Sequence, residues 1–335
     1  MLHTPFTQAQ GLQYPVLSAP MSNHSGGTLA AAVSKAGGLG TFGGTNDMGA
    51  DWTREQIAYI RSQTDNPFGV GFITQLIEHN PANFEIALEE RVPVVIFSFA
   101  DPRPWLPMAR DAGAFTICQV QSLELARLAV EAGADALLAQ GNEAGGHTGQ
   151  INLLPLLVDL VESCPQTPTL AAGGITSGRG LAGVLAAGAV GASLGTALLP
   201  TPEAVEVPDA FKERIVLSDG QDTVFTRLYD LLGTRPWPPG IAGRVYLNRL
   251  VREWDGRDDE ILAHREELAS DVAAGRARQD PEVSSVYMGQ GAGQVNAVRP
   301  AAEVVREICD GAEALLKEVL GNVLSEREGS QNAGG

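Results

Sequence analysis

From the N-terminus to about position 199, short apolar runs rich in β-branched residues alternate with longer segments in which alanine, leucine and charged residues recur at helical spacing. The runs at 16–19, 39–42, 69–72, 94–97, 115–118, 136–139, 169–171 and 192–194 predict strands. Segments at 28–35, 53–62, 83–90, 104–111, 123–131, 153–162 and 177–187 predict the helices between them. Eight strands, each joined to the next through a helix, is the number a (β/α)8 TIM barrel requires, whereas a doubly wound sheet usually stops at about five to seven. Three connections repeat one punctuation, SKAGGLGTF, ARDAGAFTI and VEAGADALL: a helix that ends at glycine and turns straight into a strand.

The texture changes after Leu199, where proline and tryptophan appear (RPWPPG) and charged helical stretches follow near 253–278. The expected organisation is a barrel over 1–199 and a mainly helical cap over 200–285, inserted after the eighth strand and facing the substrate. A return segment over 286–325 then carries a helix near 299–320 that closes the barrel, and a flexible tail covers 326–335.

Composition narrows the function classes. With 335 residues, 44% of them hydrophobic, the chain can bury a large core. A net charge of −17 with no basic cluster excludes nucleic acid as a partner. Cys118, Cys164 and Cys309 are far apart and lack metal-ligand spacing, which predicts no metal and a reducing compartment. The N-terminus lacks the charge and apolar pattern of an export signal and no long apolar run occurs, so the expectation is a cytoplasmic protein without a membrane span. A homo-oligomer is left open.

Chemistry concentrates in QGNEAGGHTG, residues 140–149, where His147 follows Gly145 and Gly146 at the end of the sixth strand. Backbone without side chains passes close to a planar ligand, and histidine moves protons near neutral pH. Barrel active sites sit on that carboxyl-end face. Glu143, four residues before His147, reads as either its hydrogen-bond partner or a solvated charge. The stretches AAGGITSGRG and GASLGTALL follow strands seven and eight, where barrels commonly bind phosphate through backbone N–H groups, and they nominate Gly173, Gly174, Gly195 and Thr196 as donors. Gly38, Gly40 and Gly43 match a dinucleotide fingerprint in spacing, but a helix precedes them and a strand follows, the reverse of what that site needs. His24, in APMSNHSGG, is expected to face the same mouth and touch substrate, while Ala19, Pro20 and Met21 offer an apolar edge to an aromatic cofactor.

These segments, with the late YMGQGAGQV and in this order, resemble the nitronate monooxygenase family of FMN-dependent barrels over most of residues 15–297. The resemblance implies that Gln140 and Gly145 contact the flavin, that His147 stands over its reactive face, and that Gly174, Gly195 and Thr196 bind the FMN phosphate. It also implies that Met21 lies beside the ring system and that Met288, Gln290 and Gly291 close the pocket from the cap side. Two departures stand out: Gly71 replaces an asparagine frequent in the family, and the fifth strand offers Gln119 where flavin barrels often carry a basic residue. Gln119 is then expected to give the cofactor a neutral hydrogen bond.

Three activities follow. The first is oxidation of alkyl nitronates by O2 to a carbonyl compound and nitrite, with His147 as base on a neutral nitroalkane or positioning the anionic nitronate, and no need for NAD(P)H. The second is reduction of enoyl thioesters with NAD(P)H as co-substrate, His147 giving the proton and Arg235, Arg244, Arg249 and Arg252 forming a basic rim. The third is a non-catalytic flavin-binding barrel, which a histidine in the glycine loop argues against.

Overall fold

In the computed structural model, residues 2–324 are described, with side chains through 319; the expected tail, 326–335, lies outside them. The first half lays down strands β1 (Val16–Ser18), β2 (Gly40–Gly43), β3 (Phe68–Ile73), β4 (Val94–Ser98), β5 (Phe115–Val120) and β6 (Ala136–Gln140). A three-residue β7 (Gly146–Thr148) comes next, then β8 (Thr169–Ala172) and β9 (Ala192–Leu194). All but β7 pair in parallel in the order β1-β9-β8-β6-β5-β4-β3-β2, and a parallel bridge from Leu17 to Leu39 brings the two edges together. This is the eight-stranded barrel that the alternation predicts, with all eight expected strands present.

A helix α1 (Pro5–Gln10) precedes the barrel. Seven more lie between its strands: α2 (Gly27–Lys35), α3 (Ala50–Gln63), α4 (Ala82–Glu89), α5 (Leu106–Asp111), α6 (Leu123–Glu131), α7 (Leu153–Ser163) and α8 (Gly178–Ala186). The glycines after three of them, Gly37, Gly113 and Gly133, have φ of 95°, 89° and 85°, the left-handed geometry that ends a helix and turns into the next strand. The barrel has two cores. Leu17, Leu39, Ile96, Ile117, Leu138 and Leu170 fill its interior with Phe6 of α1 packed among them, and a larger shell lies between the strands and the helices. Gly40, from the apparent dinucleotide fingerprint, serves the shell: a Cβ there would lie 1.7 Å from the Ala30 carbonyl oxygen, so its bareness lets α2 pack on β2.

The segment after β9 is mainly helical but not wholly so. Helices α9 (Asp209–Val216), α10 (Leu228–Leu232), α11 (Arg249–Trp254), α12 (Asp258–Ala263) and α13 (Arg265–Ala277) share it with two strands, β10 (Thr223–Thr226) and β11 (Ala242–Tyr246). β10 and β11 pair antiparallel, and β11 pairs antiparallel with β7, setting Gly243 opposite His147. The polar loop expected around His147 is therefore partly a strand, clamped by a partner far away in sequence. Leu228, Val245, Leu250, Val251, Ile261 and Leu268 give this segment a core of its own. The chain returns through α14 (Ala301–Leu324), which packs against α8 and α2. Among the described residues no helix is long and apolar enough to cross a membrane.

Candidate functional site

The carboxyl ends of the strands and the inner face of the cap enclose a cavity of about 680 Å³, within the usual range of small-molecule and cofactor sites. His147 enters it from β7 with its side chain 12% exposed, and its Nε2 lies 2.7 Å from Oδ1 of Asp230 on α10. The indole of Trp237 stacks on the imidazole at 3.5 Å between centroids and 11° between planes, and Phe99 meets that indole edge-on. An ionised carboxylate only accepts hydrogen bonds, so Asp230 fixes the imidazole N–H at Nε2 and leaves Nδ1 with its lone pair. The second oxygen of Asp230 is buried without a hydrogen-bond partner among the described residues.

Glu143 is neither a partner of His147 nor a solvated charge. Its carboxylate accepts from the backbone N–H of Leu153 at 2.9 Å, capping the N-terminus of α7. Gln140 does line the cavity, and its side chain also works structurally: Nε2 donates to the His147 carbonyl at 3.0 Å while Oε1 accepts from Gln121 at 2.8 Å. The chain of amides thus positions the strand that carries the imidazole. Gly145 is bare because a Cβ would lie 2.6 Å from the Gly289 nitrogen, so the two glycine segments touch through their backbones.

Gly173, Gly174, Gly195 and Thr196 line the cavity together, as the barrel geometry predicts. Gly173 and Gly174 have φ of 118° and 67°. The backbone N–H groups of Gly174, Gly195 and Thr196 have no protein acceptor among the described residues, which leaves three donors for an anion beside the start of α8. The hydroxyl of Thr196 accepts from the Gly289 N–H at 2.9 Å, which leaves its own O–H available as a further donor.

Met21, Gly146, Gln119, His24 and Gly291 also line the cavity, and among the described residues no protein group bonds the Gln119 amide. Two of the expected residues do not reach it. Met288 is fully buried in the core shell, and Gln290 is exposed, contributing only a backbone N–H to the Glu143 carbonyl. The tight turn that begins at Gln290 brings the small Gly291 inward and sends the amide side chain out. Gly71 does not leave a gap for a missing polar contact: a Cβ there would lie 2.3 Å from the ring of Pro20, so proline fills that place.

Asp230, Trp237, Arg276 and Tyr287 face the cavity without having been singled out in the sequence. His24 meets the Tyr287 ring edge-on at 5.9 Å. Burial, and then the charge of Arg276, hold His24 below the ordinary histidine range, so it is neutral at pH 7. Burial likewise keeps the Tyr287 phenol protonated. Of the four arginines expected to form a rim, only Arg235 lines the cavity, and it is paired with Asp47. Arg244 is buried and donates to the Asn142 carbonyl at 2.7 Å.

Comparison with known proteins agrees with this geometry. A family model described as nitronate monooxygenase matches residues 3–311. The chain is 34% identical, over 92% of its length and 93% of the relative's, to "Nitronate monooxygenase npaC" of Metarhizium robertsii. It is 35% identical, over 75% of its length and 68% of the relative's, to "(3aS,4S,5R,7aS)-5-hydroxy-7a-methyl-1-oxo-octahydro-1H-indene-4-carboxyl-CoA dehydrogenase" of Mycobacterium tuberculosis. Among solved structures, FabK from Thermotoga maritima superposes with a TM-score of 0.85 at 32% identity, covering 96% of this chain and 99% of that one.

Proposed function

Because the chain belongs to the nitronate monooxygenase family, and is an oxidoreductase of that family, we propose that it binds FMN and oxidises alkyl nitronates with O2 to a carbonyl compound and nitrite. The observation that carries this reading is one cavity holding both a carboxylate-oriented histidine and a set of unpaired backbone donors. The residues present fit FMN. Gly174, Gly195 and Thr196 suit its phosphate, Ala19 to Met21 offer an apolar edge to its ring system, and the Gln119 amide is available to a ring heteroatom. The glycines that match an adenosine-half fingerprint in spacing are spent on packing, Gly40 against Ala30 of α2, Gly43 against Ser22 and Gly38 against Val16.

When bound, the flavin supplies the electron-transfer chemistry. The chain's own contribution is proton handling and positioning. With its N–H committed to Asp230, His147 presents Nδ1 to take the carbon proton of a neutral nitroalkane, and the carboxylate stabilises the imidazolium that forms. Trp237 covers one face of the ring and keeps water from it. Asp230→Asn replaces a charged acceptor by a neutral amide. A hydrogen bond to a charged group contributes about 1.5–3 kcal/mol, so turnover of neutral nitroalkane should fall by about 10- to 100-fold. Unchanged turnover in steady-state assays would show that Asp230 only packs.

A second reading, redox chemistry on a thioester, is favoured by the relative named as a carboxyl-CoA dehydrogenase. It loses support from the arginines, since the only one of its expected rim that lines the cavity is already neutralised by Asp47. One anaerobic experiment decides between them: the purified flavoprotein is mixed separately with propane-2-nitronate and with NAD(P)H. Bleaching of the flavin absorbance by the nitronate alone is the expected result. Bleaching by NAD(P)H, followed by reoxidation with an enoyl thioester and none with nitronate, would replace the first reading by the second.

A further inference from the structure

We propose that Arg276 and Tyr287 form the subsite that holds the anionic, two-oxygen end of the substrate, an inference that rests on this cavity being where the nitronate binds. Arg276 comes from α13 and reaches the cavity wall, where its Nη2 donates to the Ser285 hydroxyl at 3.2 Å. Among the described residues no carboxylate lies within ion-pairing distance of it. The chain has a net charge of −17, and most arginines near this site are neutralised or turned inward, Arg235 on Asp47 and Arg244 on Asn142. An unpaired guanidinium on the wall of such a cavity is a binding group awaiting an anion.

The surroundings sharpen the ligand class. Arg276, Tyr287 and His24 line the same cavity, and Arg276 reaches Ser285, two residues before Tyr287 in the chain. Tyr287 is half-buried and protonated, and its hydroxyl shares a hydrogen bond with the same Ser285 that Arg276 reaches, while His24 is neutral and does not repel the cation. Asp230 is held through Oδ1 by His147, and Glu206, against Gly26, is pushed by burial towards its uncharged form. The wall beside His147 therefore offers a forked cation and a phenol, which match two oxygens sharing one negative charge. Val207, Phe211 and Ile215 line the same cavity and suit the alkyl part. The Tyr287 and His147 rings stand 5.8 Å apart, so a group held by Arg276 and Tyr287 lies beside the base.

The test uses the flavin-loaded enzyme and two unreactive probes: isobutyrate, a carboxylate with the shape of propane-2-nitronate, and isobutyramide, its neutral counterpart. Binding is followed by the fluorescence of Trp237, which borders the cavity, and by flavin absorbance. The wild type should prefer isobutyrate by about tenfold or more, and added salt should weaken that preference. Arg276→Met should abolish the preference, Arg276→Lys should restore part of it, and Tyr287→Phe should weaken isobutyrate alone. For propane-2-nitronate, KM should rise in the Met variant with kcat nearly unchanged. If the Met variant proves unstable, the Lys and Phe variants carry the test, and full retention of the preference in both would overturn the subsite. The outcomes also separate the two layers of inference. Arg276-dependent isobutyrate binding without turnover of any nitronate would keep the subsite and remove the nitronate reading. Nitronate turnover indifferent to Arg276 would do the reverse.

Discussion

His147→Asn is expected to lower turnover of a neutral nitroalkane by about 10²- to 10⁴-fold, the usual cost of losing a positioned general base, while the flavin stays bound. Retention follows from where the contacts lie. The backbone of His147 is held by the pairing of β7 with β11 and by the Gln140 amide, and neither depends on the imidazole. The proposed phosphate donors sit on the loops after β8 and β9, away from the substituted side chain. A preformed nitronate needs no carbon deprotonation, so the variant should recover much of its rate when given the anion. Steady-state rates on both forms, with flavin content measured by absorbance, check the prediction. Near-wild-type turnover of both would make His147 a packing residue for Trp237, and equal losses on both would move its role to positioning the anion.

The barrel was legible because its signals are local. Each strand is a short apolar run bounded by glycine or proline, and the helix stops at Gly37, Gly113 and Gly133 each show in a few letters. His147 was legible for the same reason, as a histidine directly after two glycines at a strand end. Its partner was not. Asp230 stands 83 residues further on, in a five-residue helix whose sequence, LYDLL, gives no reason to single out the acid. Trp237 belongs to a proline-rich stretch that marked a change of texture but not a direction, and only the fold turns its ring onto the imidazole. β10 and β11 escaped notice because they stand outside the regular strand–helix alternation that marks the barrel, and the pairing of β11 with β7 is wholly non-local. Met288 and Gln290 were misplaced by one or two positions in effect: the segment does close against the glycine loop, but through the backbones of Gly289 and Gly291, with Met288 packed behind and Gln290 facing out.

Gly174→Val should cost the protein its flavin before it costs the fold. The residue sits at φ 67°, where a β-branched side chain is strained by about 1–2 kcal/mol. Its new Cβ would stand in ordinary contact, 3.4 Å from the Cβ of Glu143, so the added methyls crowd the side chain whose carboxylate caps α7. Together these should lower the melting temperature by several degrees, about 2–4 °C for each kcal/mol in a chain of this size class, without abolishing cooperative unfolding. The larger effect falls on the cofactor, since the valine methyls would enter the space in which the N–H groups of Gly174, Gly195 and Thr196 are unpaired. A fall in FMN affinity of about tenfold or more is expected, measured by fluorescence recovery of the free flavin on dilution. Gly183→Ala is the control. It lies in α8, a Cβ there meets nothing within 4 Å, and it should raise stability by about 0.5–1 kcal/mol with flavin affinity unchanged. If the valine variant lost stability as expected yet held FMN as tightly as the wild type, the strain at Gly174 would be real and the phosphate would bind elsewhere.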